Sequence, residues 1–211
     1  MKKYPKIRIV LLGLLIFSLG ACAAAGRILY PLQPDPLKNK PGIYRLDPEH
    51  ANIIFAVSHL GFSLHHGRFN TIEGSLALDT KSPEKSQLFI AVQTGSIDTN
   101  ASALDEQLRA KSMFNSAEFP TATFESTALV IHGGKTATIE GFLTIKDVRK
   151  RVAIDATFIG SGTNPLTGLR TLGFKGSAQI RRSDFGLSDW LPWVGDAVDL
   201  IIEAEFNRAK N

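Results

Sequence analysis

The histidines and the single cysteine are the side chains best suited to metal or nucleophilic chemistry in this 211-residue chain, and their spacing limits what they can do. His59, His65 and His66 lie close together, His50 stands upstream and His132 is distant. A metal needs three or four converging donors, and no helical or hairpin spacing enforces that here; no thiol is at hand and no obvious carboxylate lies between the histidines. They read as ordinary titratable groups of a loop or mouth, and no metal site is expected. Ser58 beside His59 is not a nucleophile–base pair, because adjacent strand residues point to opposite faces. The chain has no G-x-S-x-G and no H-E-x-x-H, and Gly133-Gly134-Lys135 lacks the spacing of a phosphate-binding loop. No enzymatic activity is expected from this set of residues.

His59 stands apart because it continues the parity of Ile53, Phe55 and Val57, the apolar face of a strand. A polar ring there is either a hydrogen-bonded core histidine or the polar end of a ligand site. Arg182 and Asp184, two apart just past a strand, suit a salt bridge closing the fold better than a ligand contact. Trp190 and Trp193, around Leu191-Pro192, make an apolar loop that could be a lid, a membrane-facing tip or a packed plug.

The elements that must position these groups are strands. Ile72, Gly74, Leu76 and Leu78 alternate with polar neighbours, as do Leu88 to Val92, Ala122 to Val130, Ile139 to Ile145, Val152 to Phe158, Leu172 to Ile180 and Val198 to Phe206. Turn chemistry separates them at Lys81-Ser82-Pro83, Gly133-Gly134 and Gly160-Ser161-Gly162. One segment, Thr99 to Phe114, has helical spacing at Ala101, Leu104 and Leu108 behind capping candidates Thr99 and Asn100. About eight strands with one dry face each, joined mostly by short connections, favour an up-and-down antiparallel barrel with one short helix. Such a barrel is either filled by side chains or hollow enough for one small ligand. A membrane-spanning barrel is disfavoured by the helix and the charged strand faces.

The N-terminus reads as a targeting segment. Lys2, Lys3, Lys6 and Arg8 precede the apolar run Ile9 to Leu19, and Leu19-Gly20-Ala21-Cys22 resembles the lipobox of bacterial lipoproteins. The expected organisation is a signal peptide over 1–21, a proline-rich tether over 22–42, the domain over 43–207 and a tail over 208–211. Lipidation of Cys22 would tether the protein to a membrane in the periplasm; ordinary cleavage nearby would leave it soluble there or secreted. A tether of some twenty residues at about 3.1 Å each would reach roughly 60 Å. The whole chain has 24 basic and 20 acidic residues, but residues 1–21 hold four of the basic ones and none of the acidic. The remainder is balanced and offers no case for nucleic acid as a partner. Without thiols, the domain has no disulfide or cysteine nucleophile.

An ordered series of short matches adds a family to this reading. It runs through Tyr44, Leu46, Asp47 and His50, Val57-Ser58-His59-Leu60-Gly61, Gly67-Arg68-Phe69, Gly74-Ser75-Leu76 and Ser96-Ile97-Asp98-Thr99. It continues through Leu108, Lys111-Ser112, Phe119-Pro120, Phe124, Gly141 to Lys146, and Arg182-x-Asp184-Phe185-Gly186. From Tyr44 to about Asn207 the chain resembles the YceI-like family of polyisoprenoid-binding periplasmic proteins. The resemblance implies a lipocalin-like extended barrel whose lumen holds a long isoprenoid, a quinone or another fatty-chain lipid, with no cofactor. The expected lumen residues are Phe55, Val57, Ile72, Leu76, Phe124, Leu143, Ile145, Ile154, Leu172 and Phe174. The expected polar end is His59, Arg68 and Asp98. The competing expectation is a filled barrel serving as a structural or stress-related interaction module. Two stretches depart from the family pattern, the basic turn Asp147 to Arg151 and the histidine-rich Leu64-His65-His66.

Overall fold

Strand patterning dominates the chain, and a computed structural model, describing residues 31–209, turns it into a closed barrel. Cys22, the signal segment 1–21, residues 22–30 of the expected tether and residues 210–211 lie outside the described residues. The strands are β1 (Gly42–Leu46), β2 (Asn52–His59), β3 (Ser63–Phe69), β4 (Ile72–Leu78), β5 (Gln87–Gln93) and β6 (Ile97–Asp98). After helix α1 (Ser102–Arg109) come β7 (Thr121–Gly133), β8 (Thr136–Ile145), β9 (Val148–Thr163), β10 (Arg170–Arg181) and β11 (Val194–Arg208).

Eleven strands make only eight passes of the chain. β1 and β2 form one long pass interrupted by a 3-10 turn at Pro48–His50; β5 and β6 are broken by another at Thr94–Ser96, and β3 and β4 by the two residues Asn70 and Thr71. The breaks coincide, so β1 pairs β4 while β2 pairs β3, and β4 pairs β5 while β3 pairs β6. Each pass pairs antiparallel with the next, and β11 closes the ring on both β1 (Leu46↔Phe206) and β2 (Val198↔Val57). Closure leaves no long edge exposed.

Two differences from the sequence pattern matter. Residues 63–69 are not a loop but strand β3, so His65 and His66 sit on opposite faces of the wall. The helix is shorter than its periodicity suggests, starting at Ser102 behind Ala101, which offers no side-chain cap. Thr99 does not cap it; its N–H and hydroxyl instead donate to Asp105 Oδ1 at 2.8 and 2.7 Å. Both residues are buried, so Asp105 fastens α1 to the end of β6. Asp105→Ala is expected to cost about 2–3 kcal/mol, because two buried donors lose a carboxyl partner. Urea unfolding reads this directly, and a loss under about 0.5 kcal/mol would show that the fastening is dispensable.

The core is split. At the helix end of the barrel, Ile97, Leu108, Met113, Phe114, Phe185 and Leu187 pack under α1. At the opposite end, Tyr44, Leu46, Phe158, Leu172 and Phe206 form a second cluster. The expected tether also changes character there: Gln33 and Ser161 exchange backbone hydrogen bonds at 2.7 and 3.0 Å. Asn39 Oδ1 accepts from Ser161 Oγ at 2.6 Å and from Arg170 Nη2 at 2.8 Å. From Gln33 onward the segment is a strap laid on the barrel. Pro36 starts a 3-10 turn capped by Asp35, and the polar side chains find partners on β9 and β10.

Candidate ligand-binding cavity

Between the two clusters the barrel is hollow. Inward-facing residues of every pass enclose a cavity of about 870 Å³. At the helix end it reaches Leu60, Trp190 and Trp193; at the strap end it reaches Leu37, Pro83 and Lys135. Small residues create the space. Ala137, Ala156 and Gly176 lie side by side on β8, β9 and β10 and all line the cavity. Gly67 and Gly141 face inward where a Cβ would collide with the rings of Phe55 and Phe124, so those rings can lie back against the wall.

All of the lumen residues expected from the sequence line this cavity except Leu172. Leu172 has the right parity, but it sits at the level of the Tyr44–Phe206 plug and is packed into it, 1% exposed. Of the expected polar end, His59 lines the cavity and Arg68 and Asp98 do not. These two are directly paired across β3 and β6 and face outward. Arg68 donates to Asn70 Oδ1 at 2.7 Å, and Asn70 donates to Asp98 Oδ2 at 3.1 Å. A hydrogen bond from the Asn100 N–H, followed by that from Asn70, holds the Asp98 carboxyl below its ordinary range. Strand register therefore puts two of the three residues expected at the polar end outside the barrel.

The residues that sequence reasoning missed are Ser63 and His65 on β3, and Gln107 on α1, all of which line the helix end of the cavity with His59. The signal for β3 was weak because its inward positions, Ser63, His65 and Gly67, are not apolar. Arg182 also differs from expectation, since it closes the fold through backbone carbonyls and not through a salt bridge to a neighbouring side chain. Its guanidinium donates to the carbonyls of Leu187, Asp189, Val194 and Gly195, pinning the loop that carries both tryptophans. A 3-10 turn over Arg182–Phe185 breaks the strand parity on which the i, i+2 argument relied. Burial lowers the Arg182 pKa from its ordinary value.

Asp196 supports the same loop. The Ser183 N–H, together with the Ser183 hydroxyl and Arg181, holds its carboxyl below the ordinary 3.8, against an opposing desolvation effect. A depressed carboxyl contributes stability that is complete above its unfolded value and lost as pH falls through the folded one. Unfolding midpoints should therefore drop as the pH is taken below about 4, with Asp47, Asp79 and Asp98 adding to the slope. Asp196→Asn should flatten part of that slope, and identical acid profiles for the two proteins would count against this role.

The metal-type cluster among the described residues is not built from the three close-spaced histidines. Asp47, His50 and Glu205 bring donor atoms within 4.8 Å of one another at the Pro48–His50 turn. Asp47 is already used there, accepting from His50, Asn207 and the Glu49 N–H. The histidine–hydroxyl contact among the described residues, His132 Nε2 to Thr138 Oγ1, is exposed and outside the cavity.

An eight-pass antiparallel barrel closed around an apolar, ligand-sized interior is a lipocalin-like barrel. The YceI-like domain model matches residues 44–206, and the chain belongs to that family. A UPF0312 protein of Pseudomonas aeruginosa is 40% identical over 164 residues, covering 77% of this chain and 85% of the relative. One from Yersinia pestis is 35% identical over 201 residues, 94% of this chain and 95% of the relative. Among solved structures, BcnA of Burkholderia cenocepacia superposes with a TM-score of 0.69 at 22% identity, covering 76% of this chain and 98% of that one. The polyisoprenoid binding domain from Saccharophagus degradans superposes with a TM-score of 0.62 at 13% identity, covering 81% and 100%. At these identities the superpositions speak to the fold.

Proposed function

We propose that this protein binds a long-chain isoprenoid, or a similar amphiphilic lipid, in the barrel lumen and serves as a periplasmic carrier or storage protein. The observation that carries the reading is the cavity of about 870 Å³ with an almost wholly apolar wall. A water molecule occupies about 30 Å³ of liquid, and a methylene is of similar size, so the space suits on the order of thirty chain carbons. Each buried CH₂ contributes about 0.8 kcal/mol, enough for several prenyl units to outweigh the cost of association. The structural likeness to a polyisoprenoid binding domain supports the same ligand class. No catalytic step is assigned. Lipidation of Cys22 would hold the barrel at a membrane, and ordinary cleavage would leave it soluble.

The test is native mass spectrometry of protein purified from membranes, with lipid extraction of the same sample. A co-purifying prenyl lipid is expected. A consistently ligand-free barrel that also fails to take up prenyl quinones or fatty amides would sink the proposal and leave a structural or stress-related interaction module as the better account. Radioactive palmitate labelling of wild type and Cys22→Ala tests the anchor separately; unchanged membrane association in the variant would count against lipidation.

A further inference from the structure

One buried polar atom of a cavity-lining side chain has no partner. The β3 register sets His65 opposite Val57 and Gly67 opposite Phe55, so His65 faces inward, and its Nε2 is buried without a hydrogen bond. Two other buried side-chain atoms among the described residues share that condition, Arg109 Nε and Ser116 Oγ, and neither residue lines the cavity. A buried nitrogen left unpaired is destabilising, whereas a leucine or valine at the same point of an apolar wall would carry no such penalty. A ligand in the lumen supplies the missing partner once the imidazole turns its buried nitrogen toward the cavity.

The surroundings define what that partner is. His59 lies directly across from Ser63, which puts His59 and His65 on a cross-strand diagonal of roughly 7–8 Å. Gln107 brings an amide from α1 to the same end, and Leu104, Phe69 and Trp190 supply the apolar wall around it. Imidazole, hydroxyl and amide groups each offer both donors and acceptors. The one formally charged lining residue at this end is Arg182, whose guanidinium is already engaged by four backbone carbonyls. The other charged lining residues, Asp35, Lys135, Lys175 and Glu203, belong to the strap, the β7–β8 turn and the far part of β10 and β11. A full negative charge at the helix end would find no free cation among the lining side chains.

We infer that His65 anchors a head-group subsite, shared with His59, Ser63 and Gln107, that takes a neutral hydrogen-bonding group such as a hydroxyl, carbonyl or amide and disfavours a diphosphate. This deepens the lumen-binding reading and rests on it. It also gives a role to the histidine-rich stretch in which this chain departs from its family pattern.

The test compares three probes with similar C20 isoprenoid tails: geranylgeraniol, geranylgeranyl diphosphate and the saturated hydrocarbon phytane, each read by displacement of a polarity-sensitive fluorophore. Wild type is expected to bind the alcohol most tightly. His65→Leu should weaken the alcohol about fivefold, the worth of one net hydrogen bond, and leave phytane unchanged. His65→Gln should keep most of the alcohol affinity, and the outward-facing His66→Leu should alter neither probe. Because His65→Leu removes an unpaired atom, the ligand-free variant should unfold at the same or a higher temperature than wild type. Tighter binding of the diphosphate, an equal loss for alcohol and hydrocarbon in His65→Leu, or a less stable ligand-free variant would each overturn the subsite. If none of the probes binds wild type, the lumen reading itself falls, and this inference with it.

Discussion

Replacing Ala156 with tryptophan is expected to exclude ligand from the barrel while leaving it folded. Ala156 sits between Ala137 and Gly176, so the side chain at this point borders empty space. Adding bulk to a packed core forces neighbours off their rotamers and destabilises by about 1–3 kcal/mol, but an indole entering a void gains contacts instead. It would occupy the volume of several chain carbons. Losing three or four methylene contacts, at about 0.8 kcal/mol each, corresponds to roughly a hundredfold weaker binding of a prenyl ligand. Ala153→Trp is the control, because Ala153 lies on the outer face of the same strand and is exposed. Fluorophore displacement and urea unfolding on both variants give the answer. Full binding by Ala156→Trp would mean that ligand does not occupy the lumen at this level.

The second large effect is expected at Arg182, whose removal should destabilise the whole barrel. Arg182→Met keeps much of the stem but leaves the carbonyls of Leu187, Asp189, Val194 and Gly195 without their donor. Unpaired buried polar groups cost about 1–3 kcal/mol each, and partial rehydration of the loop limits the total, so a loss of about 3 kcal/mol or more is expected. Lysine should not restore it, because a single ammonium cannot reproduce the planar fork that reaches all four acceptors. Increased proteolysis within residues 187–195 should accompany the loss. A change below about 1 kcal/mol would show that the loop is held by its apolar contacts alone.

The closed barrel was legible because most passes keep one apolar parity for six residues or more, and eight such faces can be buried only against one another. The cavity residues on those passes were legible for the same reason: Phe55, Ile72, Leu143 and Ile154 are where period two puts them. What escaped follows from local exceptions to that period. β3 has Ser63, His65 and Gly67 on its inner side, so its inner face does not look dry, and the polar groups of the cavity were hidden in a stretch that resembled a loop. Arg68 and Asp98 lie in stretches that match the family, but only the β3–β6 register shows that they meet on the outside. Leu172 obeys the period and still misses the cavity, because parity fixes the face of a residue and not its height along the barrel. The extent of the strap was unreadable from proline content, since its attachment depends on Asn39 meeting Ser161 and Arg170, more than a hundred residues away in sequence.

The strap has a mechanical meaning. Asp35, Pro36 and Leu37 contribute to the wall of the cavity at the end opposite the tryptophans, and the same short segment leads directly to the N-terminal thirty residues. A pull arriving along the N-terminus therefore meets β9 at Gln33 before it reaches the part of the strap that lines the lumen. The first bonds to bear that load are the Gln33–Ser161 pair and the Asn39 side chain. The Gln33–Ser161 pair thus stands as a clamp between the N-terminal segment and the lumen wall at that end.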